Sequence, residues 1–551
     1  MSPTSSAASG EVSIQEQVAA CMEELQILGT LEKVIAASEH ICIATPLGTG
    51  DFLADLRHAF RLNGIETCIK NALVLSRRRK NMKDEQEQLT YMRKAQTHFE
   101  RRVSKALLNL QTDLKLSLLR QRSSSEAQEL SSKWDELSTY DQDVGSIRNL
   151  YSTQDLYEAV VALRDPDYSI NRLEEKWSAV KIPLNVPTFE ELQELFSDMC
   201  TSVDPLLGLG SSLVLQGNSN VTLLNHRITL GTKVVAENDI LLSEEFVKGG
   251  CPSHLRKGLW KQVLLSHVGE KEKTYFQAKK HAVIQTEYLT DKIIMKDIQL
   301  TASRDEHYFV FEDLIYQVSL CFSRDPYVCL QLCSKFGSRA QTTSRFAHAP
   351  DISSSASGGS SGTGGRADGD AIGGQSSVTT SAFPPSSCIP FYGWAMYVAP
   401  LCYVYEEAED IYYTLRAMYV KYWSRLHRLS SHGQGIVALS VLFERLIQQQ
   451  EPELWIHCLN NNIEPLRIAM PWMVQAFSGF LIPEQLLFLW DLILGFDSML
   501  LLPLLAASIF SLRRENLHRI LSHDSAETIF SDLSTIQVVP LLQMALTQQT
   551  G

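Results

Sequence analysis

The chain is 551 residues long, which at roughly 150 residues per domain predicts more than one structural unit. Hydrophobic residues make up 44% of the chain and charged residues 21%. This composition is typical of folded globular proteins and excludes collagen, coiled-coil and wholly disordered classes. The 63 Asp and Glu outnumber the 50 Lys and Arg, and the resulting charge of −13 argues against nucleic acid as a partner.

The N-terminal residues are rich in Ser, Ala and Thr and lack the basic and apolar segments of a secretory signal. We therefore expect residues 1–12 to be a disordered tail and the protein to be cytoplasmic. An apolar stretch over 486–512 is interrupted by Asp491 and Asp497, which favours buried helices over a membrane span.

The 11 cysteines contain no CxxC pair, so free thiols in a reducing compartment are the simplest interpretation. The closest group is Cys321, Cys329 and Cys333, and nothing nearby supplies the fourth ligand of a zinc site. We expect no metal and no cofactor.

Residues 13–210 are predicted to form an N-terminal helical region. Thr188 and Glu191 have the spacing of a capping box, which marks the start of one helix. A second helix is expected to begin at Ser152 or Thr153 and to end before Pro166.

Within this region, residues 77–122 contain 13 Lys or Arg against five Asp or Glu. Apolar residues from Tyr91 to Leu114 recur at helical spacing and predict a long amphipathic helix with a basic outer face. Two interpretations remain open for that face. It is either a peripheral contact with an anionic membrane or acidic partner, or a solvated face whose apolar side packs on its own domain.

The β-branched segment 211–244 contains Gly217 and Gly231 and is predicted to be a linker or a small hairpin. A second break, over about 338–385, centres on Ser353 to Ser381, where 29 residues include nine Ser and eight Gly. We expect a disordered insertion there because so few apolar side chains cannot offset the entropy of ordering. Its Gly358–Gly362 stretch matches GxSxG, but it lacks the strand-to-helix turn that a serine hydrolase needs.

Beyond this insertion the chain is apolar and helical in pattern, so we predict an all-α protein. A series of spaced motif residues begins before the insertion and continues after it. They are Arg256, Trp260, Ile294, Asp297, Thr301, Gly393, Pro400, Trp472, Trp490 and Asp491. In order and spacing these residues resemble the TBC domain family of Rab GTPase-activating proteins, whose pattern runs RGxxW, IxxDxxRT, YxQGM with a later proline, and WD.

The resemblance covers residues 245–517 and implies a helical TBC-like domain, followed by a helical extension over 518–551. It also implies a regulator that acts in trans on a Rab-family small GTPase in vesicle traffic, on endomembranes, and not an enzyme with its own substrate. In such domains an arginine from IxxDxxRT and a glutamine from YxQG enter the nucleotide site of the GTPase. The arginine offsets charge on the transferring phosphoryl group, and the glutamine orients the attacking water.

This sequence departs from the family pattern at both of these finger positions. Leu300 stands where the arginine is expected, and Tyr392 stands at the glutamine, with Pro390 in place of the tyrosine. Leucine has no hydrogen-bond donor, and a phenol has only one. Arg304, one helical turn beyond Leu300, is a candidate displaced finger if the helix continues, whereas a turn at Ala302 and Ser303 favours a surface pair with Asp305.

The motif residues also have plain structural interpretations. Trp260, Trp472 and Trp490 are expected to be core residues. Arg256 and Asp297 could pair with each other or cap helices. Three functions therefore remain: an activator of weak or absent activity, a non-catalytic Rab-binding scaffold, and a helical adaptor without GTPase contact.

Overall fold

The structure of the protein is a computed structural model that describes residues 90–136, 144–164, 177–201, 218–304, 307–336 and 383–547. The predicted tail at 1–12 and the Ser353 to Ser381 segment lie outside the described residues. Phe383, at the end of the predicted insertion, packs its ring against Tyr288 at 5.1 Å. The chain is therefore already part of the folded core at residue 383.

The described part of the N-terminal region contains helices joined by extended segments. Its elements are α1 (Thr90–Leu114), β1 (Leu119–Gln121), α2 (Ser124–Glu136), α3 (Thr153–Ala162), α4 (Phe189–Leu195) and α5 (Ser197–Thr201). The predicted capping box is confirmed, because the Thr188 side chain accepts from the Glu191 N–H and the Glu191 carboxylate accepts from the Thr188 N–H. The predicted start of a helix at Thr153 is also confirmed.

Helix α1 is amphipathic, as its sequence predicts. The residues of its buried face are Met92, Phe99, Val103, Leu107 and Leu110. The exposed cations of the opposite face are Arg93, Lys94, Arg101, Arg102 and Lys105. The apolar stripe is therefore part of the core. This agrees with the second interpretation as far as it expects the apolar side of the helix to pack on its own domain.

The prediction of a linker or hairpin over 211–244 is wrong for the described residues 218–244. Two helices occupy them, α6 (Asn218–Glu237) and α7 (Ile240–Lys248), and the second is capped by the Asp239 side chain. Gly231 does not mark a turn. A Cβ at this position would lie 2.7 Å from both Leu255 and Phe246, so the glycine allows helices to pack closely.

Five further α-helices and a short strand of the described chain precede the predicted insertion. They are α8 (Ser253–Leu264), α9 (Glu270–Gln285), β2 (Thr286–Tyr288), α10 (Leu289–Arg304), α11 (Glu312–Ser323) and α12 (Pro326–Phe336). Strand β2 pairs antiparallel with β1, with Leu119 opposite Tyr288. This small ladder ties the N-terminal region to the start of α10, and the predicted all-α class is confirmed.

The remainder of the described chain is helical. Short 3₁₀ turns at Trp394–Tyr397 and Ala399–Tyr403 lead into α13 (Ala408–Lys421), α14 (Ile436–Gln450), α15 (Pro452–Asn460), α16 (Pro465–Val474), α17 (Pro483–Phe496), α18 (Leu501–Leu512), α19 (Arg514–Leu517), α20 (His523–Ile529) and α21 (Val538–Thr547). The apolar stretch over 486–512 lies mainly in α17 and α18 and is largely buried, as predicted, with Leu512 at the end of α18 half exposed. Across the described ranges, no helix has both the length and the apolar character needed to cross a bilayer.

One continuous hydrophobic core joins the N-terminal region to the C-terminal helices. Helix α3 packs against α16, and α7 packs against α17. Helix α21, from the predicted extension, packs against α18. The described parts of the predicted regions therefore share one core instead of forming separate globules.

Candidate functional site

The carboxylate of Asp491 on α17 is completely buried and accepts hydrogen bonds from three residues. Arg256 Nη2 lies 2.8 Å from Oδ2, Trp260 Nε1 lies 2.7 Å from Oδ1, and the Cys251 N–H donates to Oδ2 at 3.0 Å. A buried charge is tolerated only when it is paired and hydrogen-bonded, and these donors satisfy both conditions. The first and last motifs of the sequence thus meet at one carboxylate.

A second buried carboxylate, Asp297 on α10, holds the loop that follows the predicted insertion. Its Oδ1 accepts from the Gly393 N–H at 2.7 Å, and its Oδ2 accepts from the Ala395 N–H at 2.8 Å. Burial raises the pKa of Asp297 to about 7, although the main-chain donors act to lower it. The suggested pairing of Arg256 with Asp297 is therefore wrong, because each residue has other partners.

The loop held by Asp297 requires glycine at position 393. Gly393 has φ of +98°, and a Cβ there would lie 2.4 Å from Nε2 of Gln475. Any larger side chain would meet both backbone strain and a steric clash. The following turn, Ala399–Tyr403, contains the buried motif residue Pro400.

Leu300 and Tyr392, the residues predicted to stand at the finger positions, lie on the two segments that Asp297 connects. Leu300 is half-buried three residues after Asp297 on α10, and Thr301 beside it is buried. Tyr392 is half-buried and directly precedes Gly393. The Asp297 carboxylate therefore joins the helix that carries Leu300 to the loop that carries Tyr392.

The candidate displaced finger, Arg304, ends α10, and its side chain lies outside the described residues. The helix continues through Ala302 and Ser303, so the expected turn there is wrong. Asp305, the suggested surface partner, also lies outside the described residues.

The remaining motif residues form the core around these carboxylates. Trp260 and Trp490 are both 0% exposed, Trp472 and Ile294 are both 2% exposed, and the expectation that the tryptophans are core is confirmed. Trp490 Nε1 donates to the Ala476 carbonyl at 3.1 Å, so its one polar atom is satisfied.

An exposed apolar patch follows α10. Phe309 is 58% exposed and Val310 62% exposed, on the 3₁₀ turn Phe309–Phe311 that packs against this helix. Tyr403, 44% exposed, stacks edge-on against Phe311 at 5.1 Å. We call Phe309, Val310 and Tyr403 the aromatic patch; three large exposed apolar side chains together are typical of an interaction surface.

Sequence reasoning missed Tyr151, which lies just before α3 and contacts the loop that carries Tyr392. The Tyr392 N–H donates to the Tyr151 carbonyl at 3.0 Å, and the Tyr151 hydroxyl donates to the Ile389 carbonyl at 3.3 Å. No local pattern could have revealed this contact, because 238 positions separate Tyr151 from Ile389.

Two of the three cysteines in the group Cys321, Cys329 and Cys333 have raised thiol pKa values. Burial raises the pKa of Cys321 to about 12 and that of Cys329 to about 11. Among the residues that the structure describes, no three or more His, Cys, Asp or Glu side chains are placed to hold a metal ion.

Comparison with known proteins places these motifs in one family. The sequence profile of the Rab-GTPase-TBC domain matches residues 391–518. The chain is 37% identical over 505 residues to human TBC1 domain family member 19, covering 89% of this chain and 90% of that protein. It is also 28% identical over 81 residues to the TBC domain-containing protein kinase-like protein of Dictyostelium discoideum, covering 15% of this chain and 8% of that protein.

Among solved structures, the chain is similar to the flagellar RabGAP TBC domain of Chlamydomonas. The TM-score is 0.39 at 12% identity, and the match covers 66% of this chain and 96% of that domain.

Proposed function

The chain belongs to the TBC family of Rab GTPase-activating proteins, and from this premise we propose that it binds a Rab-family small GTPase and stimulates GTP hydrolysis weakly or not at all. The observation that carries the proposal is the pair of hydrogen bonds from Gly393 and Ala395 to Asp297. These bonds keep the two finger segments together, while the side chains at the finger positions lack the usual chemistry.

The expected loss of activity follows from hydrogen-bonding capacity. Leu300 has neither charge nor donor, so it cannot offset the charge that develops on a transferring phosphoryl group. Tyr392 has one hydroxyl, whereas a glutamine amide can donate to the phosphate and accept from the attacking water at once. Any stimulation by this chain must therefore come from other groups, and Arg304 is the candidate on α10.

We propose the aromatic patch as part of the GTPase-binding surface. The patch follows α10, the helix that carries Leu300. Its side chains Phe309, Val310 and Tyr403 remain exposed in the described structure. Burial of such apolar side chains by a partner lowers the free energy of the complex and so favours binding. Through such binding the chain would act on a GTPase of vesicle traffic at an endomembrane.

One experiment separates the three functions. Single-turnover GTP hydrolysis is measured across a panel of purified Rab-family GTPases, and binding to the GTP-loaded and GDP-loaded forms is measured in parallel. We expect nucleotide-dependent binding with little acceleration, which defines a scaffold. Strong acceleration would identify a true activator, and the absence of both would leave only a helical adaptor.

A further inference from the structure

The loop that contains Tyr392 is held by two parts of the chain that lie far apart in sequence. On one side, Asp297 accepts the N–H groups of Gly393 and Ala395. On the other side, Tyr151 of the N-terminal region makes two hydrogen bonds to Ile389 and Tyr392. Tyr392 therefore lies between two anchors, one from α10 and one from outside the predicted TBC-like domain.

The Tyr151 ring reinforces these hydrogen bonds. It is 6% exposed and lies edge-on to Phe99 of α1, with ring centroids 5.5 Å apart. It also packs against Phe391 of the loop at 5.6 Å. Phe391 directly precedes Tyr392 and also packs against Trp394 and Tyr397, so the Tyr151 ring is one of the contacts that restrain the main chain beside Tyr392.

Tyr151 is itself held in place by the N-terminal helices. The next residue, Ser152, donates its N–H to Asp155 Oδ2 at 2.9 Å. The other oxygen of Asp155 forms an ion pair with Arg102 of α1. Helix α3, which begins at Thr153, packs on α16. The residue that contacts the loop is thus fixed on two helices of the N-terminal region.

We infer that Tyr151 is a positioning residue for the GTPase-facing loop, and that the N-terminal region is a working part of this site. In Tyr151→Ala the Asp297 anchor at 393–395 and the main-chain bond from Tyr392 remain, but the segment from Ile389 to Tyr392 loses the hydroxyl bond to Ile389 and the ring contact with Phe391. The two lost contacts are the ones that the Tyr151 side chain itself supplies. That segment then exchanges among several conformations, and the loop no longer presents one surface to a partner. The effect on a partner rests on the proposed function, whereas the effect on the loop does not.

Hydrogen exchange of the full-length protein tests the loop directly, with no GTPase present. In Tyr151→Ala we expect the amides of Ile389, Phe391 and Tyr392 to exchange at least about tenfold faster than in the wild type, whereas the Gly393 amide stays bonded to Asp297. Tyr157→Ala is the matched control, because Tyr157 is also 6% exposed and lies on α3 without a contact to this loop in the described structure. It should change loop exchange by less than about twofold.

The variant Tyr151→Phe is the conservative change, expected to fold, that separates the contribution of the hydroxyl bond from that of the ring contacts. It retains the ring between Phe99 and Phe391 but removes the hydroxyl bond to Ile389, so loop exchange should rise less than in Tyr151→Ala. Unchanged loop exchange in both variants would overturn the inference. Equal acceleration in Tyr157→Ala would do the same, because the effect would then be general loosening of the fold.

A second readout uses any GTPase that binds the wild-type chain. Tyr151→Ala should weaken its affinity more than Tyr157→Ala does at matched thermal stability, and Tyr151→Phe should restore most of it. Equal affinities for the two alanine variants would overturn the link between loop order and binding. If no GTPase binds, the proposed function fails while the exchange result still decides the role of Tyr151.

Discussion

The Asp297 carboxylate accepts the Gly393 N–H at 2.7 Å, across 96 positions of sequence. This bond ties α10, which carries Leu300, to the loop that carries Tyr392. The two predicted finger positions therefore lie on segments that are joined directly by one buried carboxylate. The geometry and the chemistry of the site can be tested separately.

Restoring both fingers tests whether the retained frame is functional. The double variant Leu300→Arg, Tyr392→Gln should accelerate single-turnover hydrolysis on any GTPase that the wild type binds. An arginine finger is worth about 10³–10⁵ in rate in GTPases, so a gain of at least about tenfold is expected even with imperfect geometry. Leu330→Arg, at a 67% exposed leucine of α12, is the control. No gain on a demonstrated partner would mean that the partner binds in another orientation.

Arg304→Ala tests the displaced finger. We expect this variant to leave both GTPase affinity and hydrolysis unchanged. If Arg304 were a finger, it would act mainly in the transition state, and its removal would abolish stimulation but leave the affinity intact. Single-turnover rates and equilibrium binding measured on the same GTPase distinguish the two results. Loss of stimulation with intact affinity would establish Arg304 as the catalytic arginine.

The raised pKa of Asp297 makes stability depend on pH. The folded protein holds this proton up to about pH 7, whereas the unfolded chain releases it near 3.8. The folded state binds more protons between these values, so the free energy of unfolding falls as pH rises through this window and levels off above it. Burial raises the pKa of Glu444 from 4.5 to about 7 as well, so it adds to the same slope.

Asp297→Asn should therefore flatten the pH dependence of stability without removing it. The measurement is urea unfolding at pH 5, 6, 7 and 8. Asp524→Asn, at an exposed aspartate of α20, is the control and should keep the wild-type slope. An unchanged slope in Asp297→Asn would contradict the raised pKa.

Arg256→Ala should strongly destabilise the fold, because it leaves the fully buried Asp491 carboxylate without its cation. Breaking one side of a buried ion pair costs about 3–5 kcal/mol. The neighbouring Lys257→Ala is the control. Lys257 is 44% exposed and shares Asp410 with Lys261, so its loss should cost under about 1 kcal/mol. Similar unfolding free energies for both variants would contradict this account of the Asp491 site.

Val310→Asp tests the aromatic patch as a GTPase-binding surface. We expect at least about a tenfold weaker Kd, because a charge in a buried apolar contact must be desolvated. Val310 is 62% exposed, so the melting temperature should stay near that of the wild type. Leu521→Asp, at a 73% exposed leucine, is the control. Undiminished affinity in Val310→Asp would place the interface elsewhere.

The sequence by itself determined the helical class, the buried tryptophans and the capping box at Thr188, because periodicity and caps depend on residues a few positions apart. From motif spacing the sequence also predicts that Leu300 and Tyr392 stand at the finger positions, which is a prediction for the activity measurements to test. The prediction of a linker or hairpin is wrong for 218–244 because Gly231 allows close packing between helices. The local sequence pattern does not show which helix will pack there.

Only the tertiary structure decided the partners of the buried charges and the contacts of Tyr151. Arg256 pairs with Asp491 across 235 positions, Asp297 accepts from Gly393, and the Tyr151 hydroxyl donates to Ile389 from outside the predicted TBC-like domain. Each of these side chains has many chemically acceptable partners in the sequence. The packing of one shared core selects among them, since it sets which helix ends and loops lie within hydrogen-bonding distance.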